Sequence, residues 1–553
     1  MWSKIVAFIP DWTTFMQAGL TLLIPLLLYY LYRSMRSAVI SPNASVKAKA
    51  SGNASGTTPV AKLSGDYATD VDSIKQAIGQ NCDVHFRDFK IAGYQAPATL
   101  IFVDGMQADD FINAQVMQIL MMDAAKDSKD SDSMASASEL SSLMKQKLLP
   151  VSEINETADI SELNQSILSG HMALLIEGMS QALVMGMPKG KTRSISEPTS
   201  EALLRGPRLG FTEVLSDNTS MLRRQGRTEN LEMTVFEVGS SIKRNLVVAY
   251  MKNIVNPDLL EEVKKRISKI DMDFLAESGY VEQLIEDSYL SPFQQAQNTE
   301  RPDRVITALM EGRIAILLDG TPFALIVPVT FSMLLQSPED YYERWIPGTF
   351  MRILRFCAAF MALMAPALYV SFISFHPGLL PTELAITIID SRQGVPFPSI
   401  VEVLILEISI EVLREAGIRL PKPIGPAMGI VGGLIIGEAA VQAGIVSPFL
   451  VIVVAVTAIS SFSIPMYSAG ITLRILRFVG VMFAGTLGMY GTILFFLLIC
   501  SHLSKLQSFG VPYVTPISPF RLNDWKDLFL RAPLSLMKRR PEMMKTQQKK
   551  RRS

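Results

Sequence analysis

Residues 170–184 read GHMALLIEGMSQALV, and residues 312–326 read GRIAILLDGTPFALI. Each is an apolar run, an acidic residue followed by Gly, and a second apolar run. That pattern predicts two strands joined by a tight turn, because Gly reaches the backbone conformations such turns need. A shift of 142 positions aligns Gly170 with Gly312, Ala173 with Ala315, Leu175 with Leu317, Glu177 with Asp319, Gly178 with Gly320 and Ala182 with Ala324. A helix-like stretch precedes each hairpin, SELNQSILS in the first and DRVITALME in the second. The aqueous half therefore reads as a duplicated α/β unit. A looser third copy is expected in ATLIFVDGMQADDFI at 98–112, and the polar run DAAKDSKDSDSMA is the expected boundary near 123–135. This gives one α/β subdomain over 67–150 and a second over 151–340. The plain alternative is a coincidence of common acidic-Gly hairpins.

Outward from the repeat, composition divides the chain. Its 553 residues carry 52 basic and 52 acidic side chains, so no global charge argues for nucleic acid. Residues 350–505 are dominated by apolar runs, at about 353–375, 398–416, 425–443, 448–464 and 479–500. This predicts an all-α polytopic membrane domain of four to five apolar segments. Phe15 to Tyr32 is an uncharged stretch of 18 residues, an expected N-terminal transmembrane helix within 1–36. A cleaved signal peptide is the rival reading. Residues 37–66 read as a flexible Ser/Ala/Gly linker. From Arg521 onward, eleven Lys/Arg face three Asp/Glu, so 506–553 reads as a basic cytoplasmic tail. Placing both ends in the cytoplasm demands an even number of crossings, so one of the five runs must lie flat, re-enter or break.

Catalytic motifs are missing. MGMPKGKT at 185–192 leaves three residues between Gly186 and Gly190-Lys191-Thr192, where a phosphate loop needs four. Cys82, Cys357 and Cys500 are far apart, as are the four histidines. No enzyme activity, cofactor or metal site is expected.

Three charged or small-residue patterns remain. Arg205, Arg208, Arg223 and Arg224 punctuate 196–224, either as a partner interface or signal relay or as an internal salt-bridged connector. Thr212 is a possible helix N-cap there. Gly433 and Gly437 form a GxxxG pair suited to close helix packing, and Glu438 and Gln442 lie one turn apart just after it. VEVLILEISIEVLREAG at 401–417 carries four carboxylates in an apolar helix. At the helical period, Glu407, Glu411, Arg414 and Glu415 share one face, and Glu402 points away. The helix can lie in the interface, pair with Arg355, Arg474 or Arg477, or present acidic rings to a cation pathway in an oligomer.

Three blocks carry a resemblance: SEPTSEALLRGPRLGFTEVLSDNTSMLRR, GRIAILLDGTPFALIVPVTF and PFPSIVEVLILEISIEVLREAGIRLPKPIG. In this order, over about 150–520, the chain resembles the A subunits of GerA-type spore germination receptors. The resemblance implies a multi-pass protein of the spore inner membrane, in contact with membrane lipid. It implies a transporter-like B subunit and a lipoprotein C subunit as partners, and a homo-oligomeric ring that conducts ions. It favours the pore reading of the acidic helix with Glu402, Glu407, Glu411 and Glu415; the spacing of Glu438 and Gln442 leaves them either lining a polar path or marking the helix end. A non-conducting scaffold, a secondary transporter and a sporulation-protein relative remain alternatives.

Overall fold

The computed structural model describes residues 62–92, 96–106, 116–123, 154–186, 197–198, 200–419 and 437–551. The segment 15–32, nearly all of the 37–66 linker, the loop at 187–192 and Gly433 lie outside these residues.

The first unit begins with α1 (Tyr67–Ile78), β1 (Val84–Lys90) and β2 (Pro97–Val103). It continues with β3 (Ile154–Thr157), α2 (Ile160–Leu168), β4 (Met172–Ile176) and β5 (Ala182–Met185). The second unit opens with α3 (Leu215–Gln225), β6 (Leu231–Val238) and β7 (Arg244–Met251). Then follow α4 (Pro257–Ile267), α5 (Ser278–Ile285), β8 (Gln297–Thr299), α6 (Pro302–Met310), β9 (Ile314–Leu318) and β10 (Ala324–Val327). The two sheets run β1-β2-β4-β5-β3 and β6-β7-β9-β10-β8, the same order. Every pairing is antiparallel, so the α/β half is of the segregated helix-and-sheet kind.

The repeated residues have repeated jobs. Gly170 and Gly312 end their helices at φ 96° and 91°, and Gly178 and Gly320 turn their hairpins at φ 83° and 86°. A side chain rarely adopts those angles. Strands β4 and β9 are buried throughout because both sheet faces are covered. Met172, Leu174 and Ile176 enter one core and Ala173 and Leu175 the other. Ile314, Ile316 and Leu318 part from Ala315 and Leu317 in the same way.

Three expectations are corrected. In the stretch expected as a third hairpin copy, 98–112, strand β2 pairs with β1 and β4 and corresponds to β7 rather than to the first strand of a repeated hairpin, and residues 107–112 lie outside the described ones. The boundary does not fall near 123–135, because β2 on one side of that run pairs with β4 on the other, so the first unit reaches Met185. The helix expected at Thr212 starts at Leu215. The Asn218 side chain instead binds both the N–H and the C=O of Thr212, at 2.8 and 2.6 Å.

Between β10 and Lys505 the described chain is mainly helical. It forms α7 (Trp345–Val370, extended by a π-turn to Phe375), α8 (Thr382–Ser391), α9 (Ser399–Arg419), α10 (Pro448–Phe462) and α11 (Tyr467–Lys505), with residues 437–442 also helical. Among the described residues, two stretches are long and apolar enough to cross a membrane, Trp345–Phe375 and Tyr467–Lys505. The second is not one rod. Gly488 breaks it at φ 60°, ψ −138°. Thr472 donates to the Pro292 carbonyl at 2.6 Å, and His502 bonds Ser291 at 2.9 Å. A straight helix would hold Thr472 and His502 about 45 Å apart, yet they meet adjacent residues. α11 is therefore a hairpin with arms 467–487 and 489–505. Phe483 and Phe495 pack across it with ring centroids 5.9 Å apart, and Gly480 leaves room for Phe495. The expected run 479–500 thus straddles a turn, and the basic residues before it belong to the first arm.

The hairpin fixes direction. Its apex packs on Phe375 and His376, far from the α/β half. Starting there, α9 returns to the near end, where Arg414 donates to Ser461 at the end of α10 (2.9 Å). Residue Ser447, before α10, is again at the far end, bonded to Tyr369 and Glu402. The basic tail is folded against the second unit. Arg540 donates to the Met310 carbonyl (2.8 Å), and the Gln547 N–H to that of Ile254 (3.1 Å).

Candidate functional site

α9 holds its carboxylates against arginines. Glu407 meets Arg477 at 2.6 Å, both fully buried. Glu411 lies 3.2 Å from Arg414, 3.3 Å from Arg477 and 3.8 Å from Arg474. Arg414 also stacks on Phe462 and Arg474 on Tyr467. The cluster spans two elements: α9 supplies two carboxylates and one guanidinium, and the first arm of α11 supplies two guanidiniums. A charge in an apolar bundle persists when paired this closely. Glu407 Oε1 and Arg477 Nε and Nη1 have no hydrogen-bond partner among the described residues.

The other candidates lie elsewhere. Glu402, fully buried, accepts from Arg392 at 2.7 Å and from the Ser447 N–H at 3.0 Å, tying α8, α9 and α10 together at the far end. Glu415 forms an exposed pair with Arg419. Glu438 accepts from Gln442 at 3.2 Å on an exposed turn. The added Cβ of a Gly437 substitution would touch Val451, so that glycine is in packing contact with α10.

Of the arginines in 196–224, Arg223 is fully buried. Its Nε and Nη2 donate to both oxygens of Asp83 at 2.9 Å each, and Nη1 donates to the Leu231 carbonyl. Asn81 accepts from the same guanidinium. Asp83 belongs to the first unit and Arg223 to the second, so this fork clasps the two. Arg205 and Arg208 make exposed pairs with Glu343 and Glu197, both at 3.7 Å. Arg224 forms no ion pair among the described residues.

Sequence reading missed the joint between the α/β half and the bundle. Arg352 reaches Asp340 (3.4 Å) and Asp527 (2.8 Å), and Arg355 pairs with Asp340 at 2.6 Å rather than with the acidic helix. Tyr341 donates to Asp527 at 2.7 Å. Around these contacts one apolar core runs through Phe293, Val329 and Leu335 into Leu363, Leu473, Phe495 and Ile499. The sequence signal was two arginines one turn apart at the mouth of an apolar run.

A duplicated α/β half is joined by buried ion pairs to an apolar helical bundle that encloses further ion pairs. The comparisons name the family. The family model described as Bacillus/Clostridium GerA spore germination protein matches residues 72–543. Spore germination protein GerLA of Bacillus cereus is 40% identical over 485 residues, 88% of this chain and 97% of that protein. The uncharacterized membrane protein YfkQ of Bacillus subtilis (strain 168) is 42% identical, covering 83% of this chain and 87% of its own. A crystal structure of the N-terminal domain of the A subunit of the Bacillus megaterium spore germinant receptor GerK3 is 31% identical, covers 49% of this chain and 98% of that domain, and has a TM-score of 0.38. The chain belongs to the GerA family.

Proposed function

We propose that this chain is a membrane subunit of a nutrient germinant receptor that relays the germination signal and contributes to an oligomeric cation-conducting channel. It is non-enzymatic in this reading, sits in the inner membrane of the spore, and works beside a transporter-like B subunit and a lipoprotein C subunit. Its bundle passes back and forth between near and far ends as a multi-pass domain, and the α11 hairpin supplies the extra crossing that an even count requires.

One observation carries the reading. The first arm of α11 touches the α/β half at Thr472 and holds the acidic stripe at Arg474 and Arg477. A shift of the α/β half is thereby passed to the groups that neutralise Glu407 and Glu411. With those pairs apart, Glu407, Glu411 and Glu415 present negative potential to a cation. Spores carrying Glu411→Gln should release ions with altered rate or selectivity at normal protein level. Unchanged release removes the stripe from the pathway.

A non-conducting scaffold, or the sporulation-protein relative, is the second reading. It is favoured by the pairing of Glu407 and Glu411 with arginines. Liposomes holding the purified chain separate the two: cation flux supports the channel, and none in any oligomeric state supports the scaffold.

A further inference from the structure

Three stretches distant in sequence expose large apolar side chains at the near end of the bundle. They are Phe350 on the first turns of α7, Phe520, Leu522 and Leu530 in the segment 516–531, and Tyr289 and Leu290 in the loop after α5. Each of the six is 58% to 84% exposed. Their level is fixed by contacts. The Arg531 N–H donates to Thr349 at 3.0 Å, Asp527 binds Arg352, and the Phe529 ring lies 4.7 Å from that of Phe356. On the other side, Ser291 binds His502 where α11 leaves the bundle. Trp525 stands between Phe520 and Phe529, with centroids 5.3 and 6.0 Å away, and donates its indole N–H to the Pro516 carbonyl. Lys526 is exposed and Arg521 half-exposed beside it.

Apolar side chains, an amphipathic indole and cations at one level, where apolar helices enter and leave, match the boundary between headgroups and acyl chains. We propose that these residues form a collar resting on an anionic bilayer surface, with Phe520, Leu522 and Leu530 entering the boundary and Arg521 and Lys526 facing headgroup phosphates. A bilayer fits better than a protein partner because the exposed groups come from three separate segments at one level, continuous with the apolar surface of α7. The proposal rests on the reading that the bundle crosses a membrane.

The test uses the full chain in proteoliposomes, with Trp2, Trp12 and Trp345 changed to Phe so that Trp525 alone emits. Resistance to carbonate extraction reports the spanning reading separately. Lipids brominated near the headgroup should quench Trp525 more than lipids brominated near the chain end. Anionic lipid should increase that quenching, and the double change Arg521→Ser with Lys526→Ser should abolish the increase. Carbonate-resistant protein whose Trp525 is not quenched overturns the collar and leaves the spanning reading intact. Cross-linking of Phe520→Cys between copies, with Trp525 shielded from lipid, also overturns it, because the surface is then a subunit interface.

Discussion

Arg223 is a residue whose loss the fold should tolerate poorly. It is charged, fully buried, and satisfied by two carboxylate oxygens and a backbone carbonyl. Arg223→Ala strands Asp83 as a buried charge, a cost of about 3–5 kcal/mol. The expected outcome is a clearly lower thermal midpoint in detergent, whereas Arg224→Ala next to it leaves the midpoint nearly unchanged. Arg223→Lys does not rescue, because an ammonium cannot reproduce the fork. Gly320→Ala costs about 1–2 kcal/mol through its left-handed backbone, and its Cβ would also lie 2.6 Å from the Arg244 guanidinium. Glu282 on α5 adds a pH dependence. Burial, with Glu286 and Glu277 nearby, pushes its carboxyl from 4.5 up to about 8. A raised carboxyl pKa favours the protonated folded state, so its contribution is complete below 4.5 and is lost as pH rises through about 8. The midpoint should fall across that window, and Glu282→Gln should flatten the decline. A profile identical to that of the unaltered chain would refute this.

At the scale of elements, α9 and the α11 hairpin act as a pair. Glu407→Ala removes the nearer of the two carboxylates that Arg477 meets, leaving only Glu411 at 3.3 Å, so it should destabilise; the double exchange Glu407→Arg with Arg477→Glu should recover part of the loss. Absence of any recovery would show that the surroundings, not the pair, set the cost. The hairpin itself depends on Gly488. An alanine there adds a Cβ 2.8 Å from Phe375 at a backbone angle that side chains avoid. Gly488→Ala should pull the arms apart, read as weakened cross-linking between cysteines placed at Phe483 and Phe495, one on each arm. The α/β hairpins were legible as elements because their glycines and alternating cores follow the strand period. The α11 hairpin was not. Hydropathy averages over one turning glycine, and a run of apolar residues reads alike whether it is straight or folded back.

Across the whole molecule, the apolar core from Phe293 to Ile499 makes the α/β half and the bundle one mechanical body. On the proposed relay, Arg352→Ala should uncouple them, leaving assembly in the membrane but slowing nutrient-triggered ion release; normal release would place the relay elsewhere. The sequence by itself determined the duplication, the apolar character of the second half and the shared face of Glu407 and Glu411, because each follows from a local period or a composition. Only tertiary structure decided where the units divide, that the final apolar run turns at Gly488, that the basic tail folds onto the second unit, and which arginine answers which carboxylate. Those outcomes depend on strand pairings and ion contacts between residues up to hundreds of positions apart, and no local pattern encodes such partners.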